Sequence, residues 1–213
     1  MDKSTNDETI TFYDVPLVCG AAPEIGCGSR AKPLLIDLEQ QSGIKEAWLN
    51  RTGTIVAIVW RASARTEEVV QPVFERHKIH YAERRKDNQT TESFHTDGAW
   101  LRGAEVDRLS LEEARKIAET SVPSAAKDRL VSAEEAEQIR SGIEAYFREE
   151  LVKLRTNQEL LQDIRGKFPQ AVLNIYVKLI GTERTAEVRA HGIRNPFNRE
   201  DRKETSESVI CCP

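Results

Sequence analysis

Four cysteines carry the chemistry that this sequence most plainly offers. Cys19 and Cys27 fall near the start, Cys211 and Cys212 stand side by side near the end, and none lies between. Thiolates are soft ligands that select Cu(I), Zn(II), Hg(II) and similar ions, whereas calcium and magnesium prefer oxygen. Two thiolates suit a linear or trigonal exchange site, and four suit tetrahedral zinc. Cys19, Cys27, Cys211 and Cys212 are therefore candidate metal ligands, with the terminal pair auxiliary to the other two. A flexible tether of ~20 residues spans about 25 Å, enough to bring that pair back to the first. Cys27 also fits a second chemistry. It is expected at a helix N-terminus with Arg30 one turn on, and both a helix dipole and a neighbouring cation activate a thiol. On that reading Cys27 is the reactive sulfur of a thiol-dependent enzyme, assisted by Arg30, and the same arginine disfavours a bound cation. A third reading makes Gly26-Cys27-Gly28 a tight turn around a small buried side chain, in a metal-free protein-interaction module.

Other chemistry-bearing residues give weaker patterns. His77 and His80 have His-x-x-His spacing, but at an expected helix-to-strand junction the two rings need not face together. His95 and Asp97 could form a catalytic pair, yet no nucleophile is near them in sequence. Glu112, Glu113, Glu134 and Glu135 read as first-turn carboxylates favoured by helix dipoles. No Walker loop, G-x-G-x-x-G, H-E-x-x-H or G-x-S-x-G motif occurs.

The elements that must position the cysteines follow from periodicity. Residues 9–85 read as strand, helix, strand, strand, helix, strand. Ile10 to Val18 is β-rich; the loop from Cys19 to Gly28 is rich in glycine; Leu34, Leu35, Leu38 and Gln41 have helical spacing, ended by Gly43. Ile44 to Asn50 and Thr54 to Trp60 are strands joined by a tight turn at Arg51-Thr52-Gly53. Val69, Val70, Val73 and His77 fall on one side of a second helix that Pro72 delays or kinks, and Ile79 to Glu83 closes the set.

Residues 86–98 carry turn formers and almost no apolar side chains, and are expected to be a linker. Beyond it, residues 99–190 form an α+β domain of unassigned role. Ser110 with Glu113 and Ser132 with Glu135 have the spacing of capping boxes. Ala136, Ile139, Ile143, Phe147, Leu151 and Leu154 make one long apolar stripe. Leu160, Leu161 and Ile164 predict a short helix stopped by Gly166 and Pro169. Alternation from Ala171 to Leu179, a turn at Gly181-Thr182 and a run from Glu183 to Ala190 predict a C-terminal β-hairpin. Residues 191–213 are polar and charged, expected as a flexible tail that ends in the vicinal cysteines.

Around Cys27 the order of elements resembles a known family. Ile25-Gly-Cys-Gly-Ser-Arg30, a helix, Ser42-Gly-Ile-Lys-Glu-Ala-Trp-Leu-Asn50 and Gly53-Thr-Ile-Val-Ala-Ile-Val59 resemble a heavy-metal-associated domain, over residues 9–85 only. The resemblance implies an α+β, ferredoxin-like βαββαβ fold and a soft-metal loop of the form Met-x-Cys-x-x-Cys. Cys27 matches the first cysteine of that loop, but Arg30 stands at the second and Ile25 at the methionine. Cys19, across an enlarged loop, is the thiolate available to replace the missing one. The terminal vicinal pair is similar to the metal-capturing tail of mercuric reductases. A soft-metal-binding or metal-transfer protein, working with a metal-donor or metal-acceptor protein, is the function this implies.

The chain has 213 residues, 39% hydrophobic and 31% charged, with 31 Lys+Arg against 35 Asp+Glu for a net charge of −4. No basic excess points to nucleic acid. The polar, acidic N-terminal residues are the reverse of a secretory signal and no apolar run reaches the roughly 20 residues of a spanning helix, so a cytoplasmic chain without membrane insertion is expected. The run Ile55 to Trp60 is apolar on both faces and Trp48 points away from Ala47 and Leu49. The resulting apolar sheet face is expected to be covered by the second half of the chain or by a second copy in a homo-oligomer.

Overall fold

The computed structural model describes residues 9–61, 67–85, 87–94, 96, 98–122, 126, 129–154 and 157–191. It is an α+β structure that divides into two compact units, one of residues up to Cys19 and Pro23–Leu109, the other of Gly20–Ala22 and residues from Ser110.

In the first unit, β1 (Ile10–Asp14), α1 (Gly28–Glu39), β2 (Ile44–Asn50), β3 (Ile55–Trp60), α2 (Glu67–Arg76), β4 (Ala82–Glu83), α3 (Asn88–Phe94) and β5 (Trp100–Leu101) follow one another. The strands form one antiparallel sheet in the order β4-β1-β3-β2-β5. Registers Thr11↔Ile58 and Phe12↔Ala57 sort the side chains onto two faces. On the helix side lie Thr11, Tyr13, Ala47, Leu49, Val56 and Ile58, against Leu34, Leu35 and Leu38 of α1 and Val70, Val73 and Phe74 of α2, all buried. The indole of Trp60 sits on this side and donates to Thr11 Oγ1 at 2.9 Å. Pro72 lies inside α2.

The other face carries Ile10, Phe12, Trp48, Ile55 and Ala57, packed against Phe94, Ala99 and Trp100. Phe94 meets Phe12, Trp48 and Trp100 edge-on at centroid distances of 5.9, 6.0 and 5.2 Å. Residues 86–98, expected as a linker, thus hold α3 and belong to the first unit. Their few apolar side chains hid this role, because a single aromatic ring, Phe94, makes this segment's contact with the sheet. Phe94 of this segment covers the face together with Ala99 and Trp100, from the start of the expected second domain. Asp87 caps α3 by accepting from Thr90 N at 2.6 Å and Thr90 Oγ1 at 2.9 Å. Arg102, at the end of β5, donates to Glu39 at 2.6 Å, pairs with Glu46 at 3.3 Å and stacks on Trp48 at 5.7 Å.

A 3₁₀ turn (Gly103–Val106) then leads into α4 (Asp107–Ser121). That helix starts before the expected cap. Ser110 and Glu113 sit inside it and are buried, while Asp107 in its first turn accepts two bonds from Lys32, at 2.6 and 2.8 Å.

The second unit contains the rest of α4, α5 (Ala133–Leu151), α6 (Asn157–Arg165), α7 (Lys167–Ile180) and α8 (Thr182–Ala190). The expected hairpin over 171–190 is two helices. Phe168, Val172, Tyr176 and Ile180 are buried at helical spacing. The apolar residues between them are what made the run look alternating. Pro169 does not stop a helix but occupies the first turn of α7, where its missing N–H is harmless. Gly181, with φ of 80°, makes the corner into α8. The core gathers Ile117, Ile139, Ile143, Phe147, Phe168 and Tyr176, and the Tyr176 hydroxyl donates to Ser121 O at 2.9 Å.

The box at Ser132 forms as expected: Glu135 N donates to Ser132 Oγ at 3.1 Å and Ser132 N to Glu135 Oε2 at 2.8 Å. Arg184 of α8 adds bonds to both carboxylate oxygens, at 2.6 and 3.0 Å.

Two predictions follow from these contacts. Phe94→Ala removes the centre of the sheet cover and should cost about 2–3 kcal/mol in urea unfolding, below the loss for a fully buried ring, while exposing Trp48 to a fluorescence quencher. Arg184 and the Ser132 N–H hold the Glu135 carboxyl down at about 2. A depressed carboxylate contributes stability that is present above its unfolded value, about 4.3, and is lost as pH falls through about 2. Glu135→Gln should therefore lower the thermal midpoint at neutral pH, with the difference from wild type closing between about pH 4 and pH 2.

Candidate functional site

The segment between β1 and α1 folds back on itself and onto the β2–β3 turn. Val15 N donates to Thr54 O and Leu17 N to Gly53 O, both at 2.9 Å. The chain then reverses: Cys19 N donates to Ile25 O at 2.8 Å, Cys27 N to Leu17 O at 2.7 Å, and Val18 faces Gly26 in an antiparallel bridge. Gly26 N continues the ladder to Arg51 O at 2.7 Å.

This register decides where the thiols go. With Val18 opposite Gly26, Leu17 lies opposite Cys27 and Cys19 opposite Ile25. Alternation then sends Leu17, Cys19, Ile25 and Cys27 to one face of the ribbon. All four are buried, Cys19 at 1% exposure and Cys27 at 5%. Cys19 and Cys27 are diagonal neighbours across the ribbon, and neither is in a disulfide.

Two glycines permit the fold-back. A Cβ on Gly53, whose φ is +74°, would lie 2.4 Å from Leu17 O and 2.5 Å from Gly26 Cα. A Cβ on Gly26 would lie 2.9 Å from Gly53 Cα. The backbones touch there, and only residues without side chains fit.

Cys27 is the N-cap of α1, extended at φ −81° and ψ 102°, and its side chain makes no capping bond. Gly28, Ser29 and Arg30 form the first turn and are buried, with no acidic residue among them. Arg30 is 9% exposed, and its Nη1 donates to Pro16 O at 3.4 Å. The Ser29 hydroxyl is buried and has no hydrogen-bond partner among the described residues. Sequence reading passed over Ser29; the signal was a small polar residue between Cys27 and Arg30 in a first turn.

The remaining candidates are placed elsewhere. His77 is held by Asp37 at 2.8 Å, a carboxylate that also takes Arg76 at 3.1 Å, which braces α2 against α1. His80 is exposed. Glu112 and Glu113 lie in the interior of α4 rather than at its start, while Glu134 and Glu135 are first-turn residues of α5. His95, Asp97, Cys211 and Cys212 lie outside the described residues. Among the described residues no three His, Cys, Asp or Glu side chains gather as ligands for one ion, and no helix is long and apolar enough to cross a membrane.

Comparison with protein-family models, with curated proteins and with solved structures found no match to this chain.

The glycine contact yields a sharp expectation. Gly53→Ala forces a side chain into the left-handed region and onto Leu17 O, and should destabilise the protein by more than the roughly 1 kcal/mol of an unstrained glycine replacement. Loosening of the ribbon should also speed the reaction of Cys19 and Cys27 with a disulfide reagent under native conditions. Unchanged stability and thiol kinetics would show that the ribbon does not depend on this contact.

Proposed function

We propose that the first unit is a ferredoxin-like βαββαβ domain, extended by a fifth strand, that captures and passes on a soft metal ion through Cys19 and Cys27. The strand order β4-β1-β3-β2 with α1 and α2 on one face supports the fold. The observation that carries the function is the placement of both buried cysteines on one face of the ribbon at the start of α1. Cys19 occupies the role of the thiolate that a heavy-metal-associated loop would place at Arg30.

The donor set is two thiols, which fits an ion content with two ligands better than zinc, whose structural sites take four. Charge narrows the choice further. Two thiolates around Cu(I) carry a net charge of −1, and around Hg(II) they carry none. The N-terminus of α1 and the Arg30 guanidinium are both positive, so they favour the complex with a residual negative charge. Arg30, which opposes a bare cation, thereby becomes compatible with a bis-thiolate Cu(I) cargo. A reducing compartment such as the cytoplasm keeps the pair as thiols. Transfer would run to or from a partner protein presenting its own thiolates.

The test is competition for Cu(I) between the reduced full chain and a chromophoric chelator, without oxygen. One Cu(I) per chain should be retained. Cys19→Ser and Cys27→Ser should each weaken retention by more than the roughly 10–100-fold that loss of an outer-shell partner costs, and the Cys211→Ser/Cys212→Ser double variant should retain the ion. Release by wild type at the same chelator concentration as the Cys19→Ser/Cys27→Ser double variant would overturn the proposal. Selective alkylation of Cys27 in that case would move the assignment to thiol chemistry.

A further inference from the structure

Ser29 is 2% exposed, and its Oγ has no hydrogen-bond partner among the described residues. Helical hydroxyls elsewhere in this chain bond back to a carbonyl one turn earlier: Thr120 and Ser121 to Ile117 O at 3.0 and 2.7 Å, and Thr185 to Gly181 O at 2.7 Å. Ser29 makes no such bond. It stands in the first turn of α1, where Ile25 and Gly26, four and three residues back, lie outside the helix and present no helical carbonyl one turn behind it. A buried hydroxyl left without a partner is costly, and native structures rarely keep one without a use for it.

The same turn has no side-chain cap. The N-cap side chain makes no capping bond and no acidic residue lies in the first turn. A helix N-terminus in that state favours negative charge near it. The residue that caps it is Cys27, two positions before Ser29.

Resting on the reading of Cys19 and Cys27 as a Cu(I) site, we infer that Ser29 is a positioning residue whose hydroxyl donates to the negative charge of the loaded bis-thiolate and so favours a monovalent ion. The acceptor this inference assigns to the hydroxyl is the loaded thiolate pair. A bis-thiolate of a divalent ion is neutral and offers Ser29 a weaker acceptor. Ser29 therefore contributes to selectivity between ions that Cys19 and Cys27 could both hold.

The experiment compares wild type with Ser29→Ala in three measurements: Cu(I) retention against the chelator, Hg(II) retention against a competing thiol, and the thermal midpoint of the metal-free protein. Cu(I) affinity should fall roughly tenfold, as for loss of an outer-shell partner, Hg(II) affinity should change little, and the metal-free midpoint should stay or rise. An equal loss for both ions, or no loss for Cu(I), would overturn the inference while leaving the two-thiol site standing. A lower metal-free midpoint would show that the hydroxyl already has a partner, and would overturn it too. Failure of wild type to hold Cu(I) at all would instead remove the site on which it rests.

Discussion

The contact between the Gly26 and Gly53 backbones is the constraint on which the candidate site depends. The β2–β3 turn is closed by its own residues: Asn50 Oδ1 accepts from Thr54 N and Ile55 N at 2.9 Å each, and Gly53 N donates to Asn50 O at 2.9 Å. That closed turn presents Arg51 O, Gly53 O and Thr54 O outward as acceptors. Val15, Leu17 and Gly26 dock on them. With a side chain at either glycine the two strands of the ribbon could not both reach the turn, and the register that puts Cys19 and Cys27 on one face would have nothing to hold it.

The rest of the first unit serves to keep that turn in place. β2 and β3 are buried on the helix side by α1 and α2 and on the other by α3 and Trp100. Arg102 then fastens the last strand by binding Glu39 of α1 and Glu46 of β2 together. Burial and two salt-bridged carboxylates raise no conflict here, since Arg102 stays partly exposed and keeps its charge; desolvation opposes that charge, while Glu39 and Glu46 more than offset it. Both faces of the sheet are thus packed within one unit, and Trp48 lies edge-on to Phe94.

What could be read in the sequence, and what could not, separates along physical lines. β2, α1 and α2 fall where alternation and helical spacing put them, because their most deeply buried residues recur at the period of the element; β3, buried on both faces, shows instead as an unbroken apolar run between turn residues. Residues 171–180 misled because α7 is apolar around more of its circumference: Val172, Tyr176 and Ile180 are buried, yet Val177 is exposed and Ile175 and Leu179 are half-buried. A helix of that kind offers both periods at once. α4 misled in a different way. Ser110 and Glu113 have cap spacing, but Asp107 binds Lys32 from a distant part of the chain, and a long-range ion pair at a helix start leaves no trace in local sequence. For the site, Cys27 at a helix start was legible from Gly26, Gly28 and the helical run after it. That Cys19 would share its face depended on a register fixed by Gly53, far along the chain.

The burial of the two thiols also bears on which chemistry suits them. A reactive-sulfur enzyme needs its nucleophile open to a substrate larger than the sulfur itself, and reactive cysteines are in general partly exposed. Cys27 has the helix N-terminus and Arg30 that such an enzyme would use, but at 5% exposure it lacks the access. A metal ion is small enough to be enclosed between side chains, and enclosure is an advantage for it, since a low-dielectric shell strengthens the attraction between ion, thiolates and the donors around them. The same shell makes unpaired donors expensive when the ion is absent. Ser29, buried and without a hydrogen-bond partner among the described residues, is a donor of that kind.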